Sequence, residues 1–153
     1  MAIEYFHISE TDHDMLEQIT ELEQEVHSKR GEALNYFEAH SFVRYGRVYA
    51  ALEYDEVLGC AYFVRDFNNP AKCYLYEIIV KPTESGKHIG ESLLLSAFAD
   101  LKESNLRMIE VCIHPSNYKA LNIYRESLGF NVINAQDDSQ FSDLDFLVLR
   151  KTL

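Results

Sequence analysis

At 153 residues, 47% of them apolar, the chain suits one domain spanning residues 1–153 around one core, with no run near the roughly 18 apolar residues of a membrane helix. Its 25 acidic residues against 14 basic ones would repel a polyphosphate nucleic acid and attract a cation, so neither nucleic acid nor membrane is expected as a partner, and a cytoplasmic place is. The three cysteines, Cys60, Cys73 and Cys112, each lie in an apolar strand-like run without the close spacing of metal ligands, which predicts buried reduced thiols and no metal.

The chain begins as a strand: Ala2 to Ile8 alternates Ile3, Tyr5 and His7 against Glu4, Phe6 and Ile8 and does not read as a leader. A helix follows, with Thr11 and Asp14 forming a capping box and Met15, Ile19, Leu22 and Val26 lining one stripe. Leu34, Phe37 and Phe42 suggest a second helix before Gly46. Acidic residues concentrate from Glu10 to Glu38, a pattern that reads as a solvated helix surface or as an acidic mouth for an amine. Two strand runs, Val48 to Tyr54 and Val57 to Arg65, flank a predicted hairpin turn at Asp55 and Glu56. A third run, Cys73 to Val80, is apolar except at Glu77 and belongs near a sheet centre, and Pro82 ends it because proline cannot donate to a ladder. A helix carrying Ile89, Leu93, Leu94, Ala97, Phe98 and Leu101 precedes a strand with Ile109, Val111 and Ile113. Pro115 and Ser116 introduce another helix bearing Ala120, Leu121, Tyr124 and Leu128, which Gly129 closes. Strands around Phe130 to Ile133 and Leu144 to Arg150 flank a polar loop at Gln136 to Ser142. This order predicts a mixed α/β sheet whose central strands are joined through crossover helices.

Ile78 to Gly90 is a strand, a small-residue loop and a helix start, which together present free backbone N–H groups and the positive end of a helix dipole. Such a turn can cradle a pyrophosphate, and glycines matter in it because a Cβ would hold phosphate oxygens away from the amides. Further on, Asn117, Ala120, Tyr124, Gly129 and Phe130 form a second pattern. Together the two segments resemble the GNAT acetyltransferases, whose cofactor loop reads V-x-P-x-x-R-G-x-G-x-G-x-x-L-L and whose later helix reads N-x-x-A-x-x-x-Y-x-x-x-x-G-F. The later helix matches throughout, and Val80, Pro82, Gly86, Gly90, Leu93 and Leu94 match the loop. Two positions depart: Ser85 stands where the family has Arg or Gln, and His88 where it has the first glycine of the G-x-G pair. At motif level the resemblance runs from about Val57 to Phe130. It implies an α/β (α+β) fold with a mixed, mostly antiparallel central sheet of about seven strands and about four flanking helices.

The resemblance also implies roles. Acetyl-CoA would be the co-substrate, held by Ile79, Val80, Ser85, Gly86, Lys87, His88, Ile89, Gly90 and Asn117, with no metal. The amides near Ile79 and Val80 would hold the thioester carbonyl and the pantetheine arm, and Asn117 would bond that arm or cap its helix. Tyr124 would protonate the departing thiolate, its phenol pKa of about 10 lying near a thiol's; the alternative is a packed core tyrosine. Glu77, ionisable within an otherwise apolar run, is the candidate base for the amine, with a structural ion pair as its alternative. His114 reads as a surface histidine or as part of the amine pocket, Tyr36, Phe37, Phe42, Tyr74 and Tyr76 as core or pocket wall, and Cys112 as facing the core. The expected activity is N-acetylation of a small-molecule primary amine or a basic peptide by direct attack in a ternary complex. The rival is a degenerate domain that binds acyl-CoA, or nothing, as an interaction module. Members of the family are often homodimers, and no residue of this sequence marks an interface.

Overall fold

The structure is a computed structural model and describes residues 2–134 and 145–153. Its strands are β1 (Glu4–His7), β2 (Arg47–Glu53), β3 (Glu56–Arg65), β4 (Lys72–Val80), β5 (Met108–Ile113), β6 (Asn131–Val132) and β7 (Leu147–Thr152). Its helices are α1 (His13–His27), α2 (Tyr36–Tyr45), α3 (Ile89–Glu103) and α4 (Tyr118–Asn122). The strands form one seven-stranded mixed sheet in the order β1-β2-β3-β4-β5-β7-β6, with β4 at its middle as the apolar run predicts. The pairs β1/β2, β2/β3, β5/β7 and β6/β7 are antiparallel, and β4/β5 is parallel. Among the described residues no helix is long and apolar enough to cross a membrane.

The backbone divides into two compact units, Met1–Val64 with Leu75–Ala99, and Arg65–Tyr74 with Asp100–Leu153. In the first, α1 and α2 bury Leu16, Ile19, Leu22, Ala39 and Val43 in one cluster with Val48, Ala50, Cys60, Tyr62 and Ile79. The stripe of α1 lies one residue away from the predicted one: Leu16 is buried whereas Met15 and Val26 only flank the core, and Glu23 lies fully buried on that face. The predicted Thr11/Asp14 capping box does not form. Asp12 is the N-cap without a side-chain cap bond; its carboxylate accepts from Ser9 N at 2.8 Å, and Thr11 Oγ1 pairs with Ser9 Oγ at 2.8 Å. A capping box forms instead on α2, where Glu38 N donates to Asn35 Oδ1 at 3.0 Å and Asn35 N to Glu38 Oε2 at 2.8 Å. Phe37 is 82% exposed and takes no part in the core.

The β2–β3 hairpin turns on Tyr54 and Asp55, one residue earlier than predicted, since Glu53 pairs with Glu56. Both turn residues have positive φ, 51° and 64°, which matches the right-handed twist of the flanking strands. Gly59 on β3 is obligatory, because a Cβ there would lie 2.9 Å from the Ile79 carbonyl of β4.

In the second unit, β5 buries Ile109, Val111 and Ile113, and the alternation that does so turns Cys112 outward; Cys112 is exposed and does not face the core, while Cys60 and Cys73 are buried as expected. Glu110 clamps three strands: Arg150 Nη2 and Nε donate to its Oε2 at 2.6 and 2.9 Å, and Lys72 Nζ lies 3.2 Å from its Oε1. Gly129, at φ 75°, ends the α4 segment as predicted, whereas the polar loop Gln136 to Ser142 lies outside the described residues.

Candidate active site

β4, the loop after it and the first turn of α3 belong to the first unit and carry most of the predicted cofactor residues. Ile79 is buried; the Lys81 N–H donates to Leu58 O at 2.8 Å and closes β4 against β3, after which Pro82–Glu84 forms a single tight turn. Ser85, Gly86, Lys87 and His88 are exposed, while Ile89 is buried and seats the helix start. The first bond in the turn that opens α3 is Ser92 N to His88 O at 3.1 Å, so the N–H groups of Ile89, Gly90 and Glu91 precede any carbonyl one turn earlier. Gly86 has φ 85° and nothing within 4 Å of where a Cβ would sit, so the loop is open there. A Cβ on Gly90 would meet Val80 Cγ2 at 3.4 Å and Ile78 Cδ1 at 3.6 Å, an ordinary contact, so packing does not require this glycine. Bare amides, an open glycine and a helix N-terminus suit a pyrophosphate.

His88 departs from the family pattern in a position that asks for glycine, since its φ is 58°. Its ring leans away along the helix start, with Nδ1 3.3 Å from Glu91 Oε1, so Glu91 is engaged by the imidazole. Lys87 Nζ donates to Glu84 Oε2 at 2.6 Å, which holds the ammonium above its usual range and means that Lys87 meets a phosphate only by leaving Glu84.

Glu77 sits on β4 two residues before Ile79, with a fifth of its side chain exposed. His27 Nε2 contacts its Oε1, off the direction of a hydrogen bond, and is otherwise buried without a partner. Burial first, then the charge of and a hydrogen bond with Glu23, push the Glu77 carboxyl up to about 7, against the opposing pull of His27. Glu23, fully buried, accepts from Tyr62 Oη at 2.9 Å and from Leu34 N at 3.1 Å. Tyr62 leads into an aromatic wall: Phe42 lies 5.3 Å from its ring and 4.7 Å from that of the half-exposed Tyr76. Sequence reasoning missed Glu23, His27 and Tyr62. The signal was there for two of them: Glu23 falls four residues after Ile19 on the core stripe, and His27 four after Glu23.

Tyr124 and Asn117 belong to the second unit. Tyr124 is 6% exposed, lies on a single π turn, Ile123–Ser127, that continues α4, and meets Phe130 edge to face at 5.2 Å. Among the described residues its hydroxyl has no hydrogen-bond partner, and burial pushes its phenol up. That keeps the proton on the oxygen, as a proton donor requires. Asn117 caps α4 by accepting from Ala120 N at 3.2 Å. His114 is an exposed histidine bonded to Ser116 at 2.7 Å.

The sequence matches the model of the acetyltransferase (GNAT) family over residues 13–130. No curated protein matches it. Among solved structures it is similar to a GNAT-family acetyltransferase from Staphylococcus aureus Mu50, at 18% identity over 99% of each chain with a TM-score of 0.74. It is also similar to a ribosomal-protein-alanine N-acetyltransferase from Brucella melitensis, at 20% identity over 100% of each chain with a TM-score of 0.72. A third likeness is to the PaiA N-acetyltransferase from Thermoplasma acidophilum, solved with coenzyme A, at 17% identity over 100% of each chain with a TM-score of 0.65. These identities speak to the fold alone. With the open glycine loop at the start of α3 inside it, the match over residues 13–130 establishes that the chain belongs to the GNAT acetyltransferase family.

Proposed function

We propose that the protein, acting as a single domain, is an acetyl-CoA-dependent N-acetyltransferase that acts on a primary amine by direct attack in a ternary complex. The observation that carries this reading is the run along β4 into α3, where a carboxyl pushed up to about 7 at Glu77 is followed by the unpaired amides of Ile89 to Glu91. Acetyl-CoA would supply the acetyl group as a thioester. The amides at the start of α3, with Gly86 and Gly90, would hold its pyrophosphate, and the backbone at Ile79 and Val80 its thioester carbonyl.

An amine must be neutral to attack, and Glu77 is suited to take its proton because a carboxyl with a pKa near 7 is a stronger base than an ordinary one yet still ionises near neutrality. Tyr124, protonated and without a partner among the described residues, is assigned the proton for the thiolate by its place in the family motif. The aromatic wall of Phe42, Tyr62 and Tyr76 beside these carboxyls favours a cationic acceptor, a small amine or a basic peptide. A second reading, a domain that has lost catalysis and serves as an interaction module, is favoured by one observation: His88 occupies a left-handed position where the family has glycine.

Calorimetric titration with acetyl-CoA separates the two. Micromolar binding supports the enzyme, and thiol release with polyamines, aminoglycosides and short peptides then ranks acceptors. No binding at millimolar acetyl-CoA favours the module. Within the enzyme reading, Tyr124→Phe is expected to slow thiol release by about 10²-fold or more. A rate unchanged across pH would remove Tyr124 from the acid's role.

A further inference from the structure

The carboxyl of Glu77 is surrounded on two sides by titratable groups. Glu23 and His27 approach from α1, and Cys60 and Tyr62 stand on β3, with the Tyr62 hydroxyl bonded to Glu23 and 3.5 Å from Cys60 Sγ. One atom each of Glu23, His27 and Glu77 lies within 4.8 Å of the other two. Glu23 is the most enclosed member, at 0% exposure, on the apolar face of α1. A carboxyl in such a place costs free energy unless its oxygens are addressed, and here both are: Tyr62 Oη serves Oε1 at 2.9 Å and Leu34 N serves Oε2 at 3.1 Å. Glu77 has no such donors; among the described residues His27 alone contacts its oxygens. Two carboxyls this close can hydrogen-bond only when one is protonated, and the pair with fewer donors is the better home for that proton.

We propose that Glu23 is a positioning residue for acetyl transfer: fixed by Tyr62 and Leu34, it never meets the substrate, but its buried charge strengthens Glu77 as a base and its oxygen orients the Glu77 carboxyl. His27 balances the pair from the other side. The proton balance is simple. Glu77 releases its own proton to solvent, accepts one from the ammonium of the acceptor, and no proton comes to rest on Glu23. The inference rests on the reading of Glu77 as the base.

The test is a carbon-13 NMR titration of the glutamate side-chain carboxyls in the intact protein, with the Glu77 signal assigned by its loss in Glu77→Gln. In Glu23→Gln the Glu77 midpoint is expected to fall by about one pH unit or more, because a like charge has gone. In Glu23→Asp, which keeps the charge, it should stay raised. In His27→Asn, with the opposing group removed, it should rise. A Glu77 midpoint unmoved in Glu23→Gln overturns the proposal. His27 is partly exposed, so His27→Asn keeps the proposal open to refutation if the buried substitution does not fold: a midpoint that stays or falls there also overturns it. The kcat/KM profile for thiol release, measured with the fastest acceptor of the amine panel, should move with the NMR midpoint in each variant. Failure of the base assignment shows separately, as a wild-type rate in Glu77→Gln, and that result removes Glu23 from the reaction whatever the titrations give.

Discussion

Glu77 holds its proton to about pH 7 in the folded chain, whereas an unfolded chain holds it only to about 4.5. The folded state therefore binds more protons between those values, so stability from this group is greatest at the acid end and is lost as pH rises from about 4.5 through 7. Glu77→Gln, which carries no charge, should be stabilised relative to the wild type at pH 8 more than at pH 5, as denaturant melts at both values would show. The same variant should lose about 10²-fold or more in thiol release. Gain of stability together with loss of rate is the signature of a strained functional group; equal stability at both pH values would mean that the carboxyl is not held up by burial. Glu77 and Tyr124 were legible in the sequence because each interrupts or completes a pattern. Glu23 was not, because nine acidic residues between Glu10 and Glu38 disguise the one that turns inward, and periodicity located the stripe one residue off.

Most elements were legible where apolar spacing is regular. The predicted core positions of α3, Ile89, Leu93, Leu94, Ala97, Phe98 and Leu101, are all buried, and β4 takes the central place that its apolar run implies. Ends were less legible, since Thr11 and Asp14 have the residue types of a capping box while the chain uses Asp12 to hold Ser9. The hairpin turn shifted because Tyr54, no favourite of turns, accepts a positive φ there. Gly59 carried no motif signal, for its role depends on how close β3 comes to β4. Gly59→Ala should cost about 1–3 kcal/mol and, by pushing on the Ile79 carbonyl, weaken acetyl-CoA binding as well. A variant of wild-type stability would mean that β3 gives way freely. His88→Gly tests the start of α3. Relief of the left-handed strain, about 1–2 kcal/mol, outweighs the added freedom of the unfolded chain, about 0.5–1 kcal/mol, so stability should rise slightly. Calorimetry should give a lower Kd for acetyl-CoA; a higher one would make the imidazole itself a phosphate contact.

At the scale of the molecule, a formal charge of −11 acts on any partner before contact. For a polyamine acceptor, kcat/KM should fall as salt rises from low ionic strength to about 0.5 M, where the Debye length shrinks to a few ångströms. A flat profile would place recognition in neutral contacts. The sequence order of strands and helices was enough to anticipate a seven-stranded mixed sheet, but not that α4 would continue through a π turn, since composition does not distinguish a turn of five residues from one of four. In that turn Leu128 N donates to Ile123 O at 3.0 Å, and Phe130 N to Tyr124 O at 2.8 Å. It amounts to one surplus residue spliced into a helix that would otherwise be regular. Deleting a single residue there would rewind the segment to an α-helix and rotate all that follows by about 100° relative to Asn117. Gly129 and Phe130 would then leave the helix on a different side, and the chain could reach β6 only by rebuilding its exit. The family spacing from Asn117 to Gly129 and Phe130 is thus a length constraint as much as a set of residue types: substitutions within it can be absorbed singly, whereas an insertion or deletion cannot.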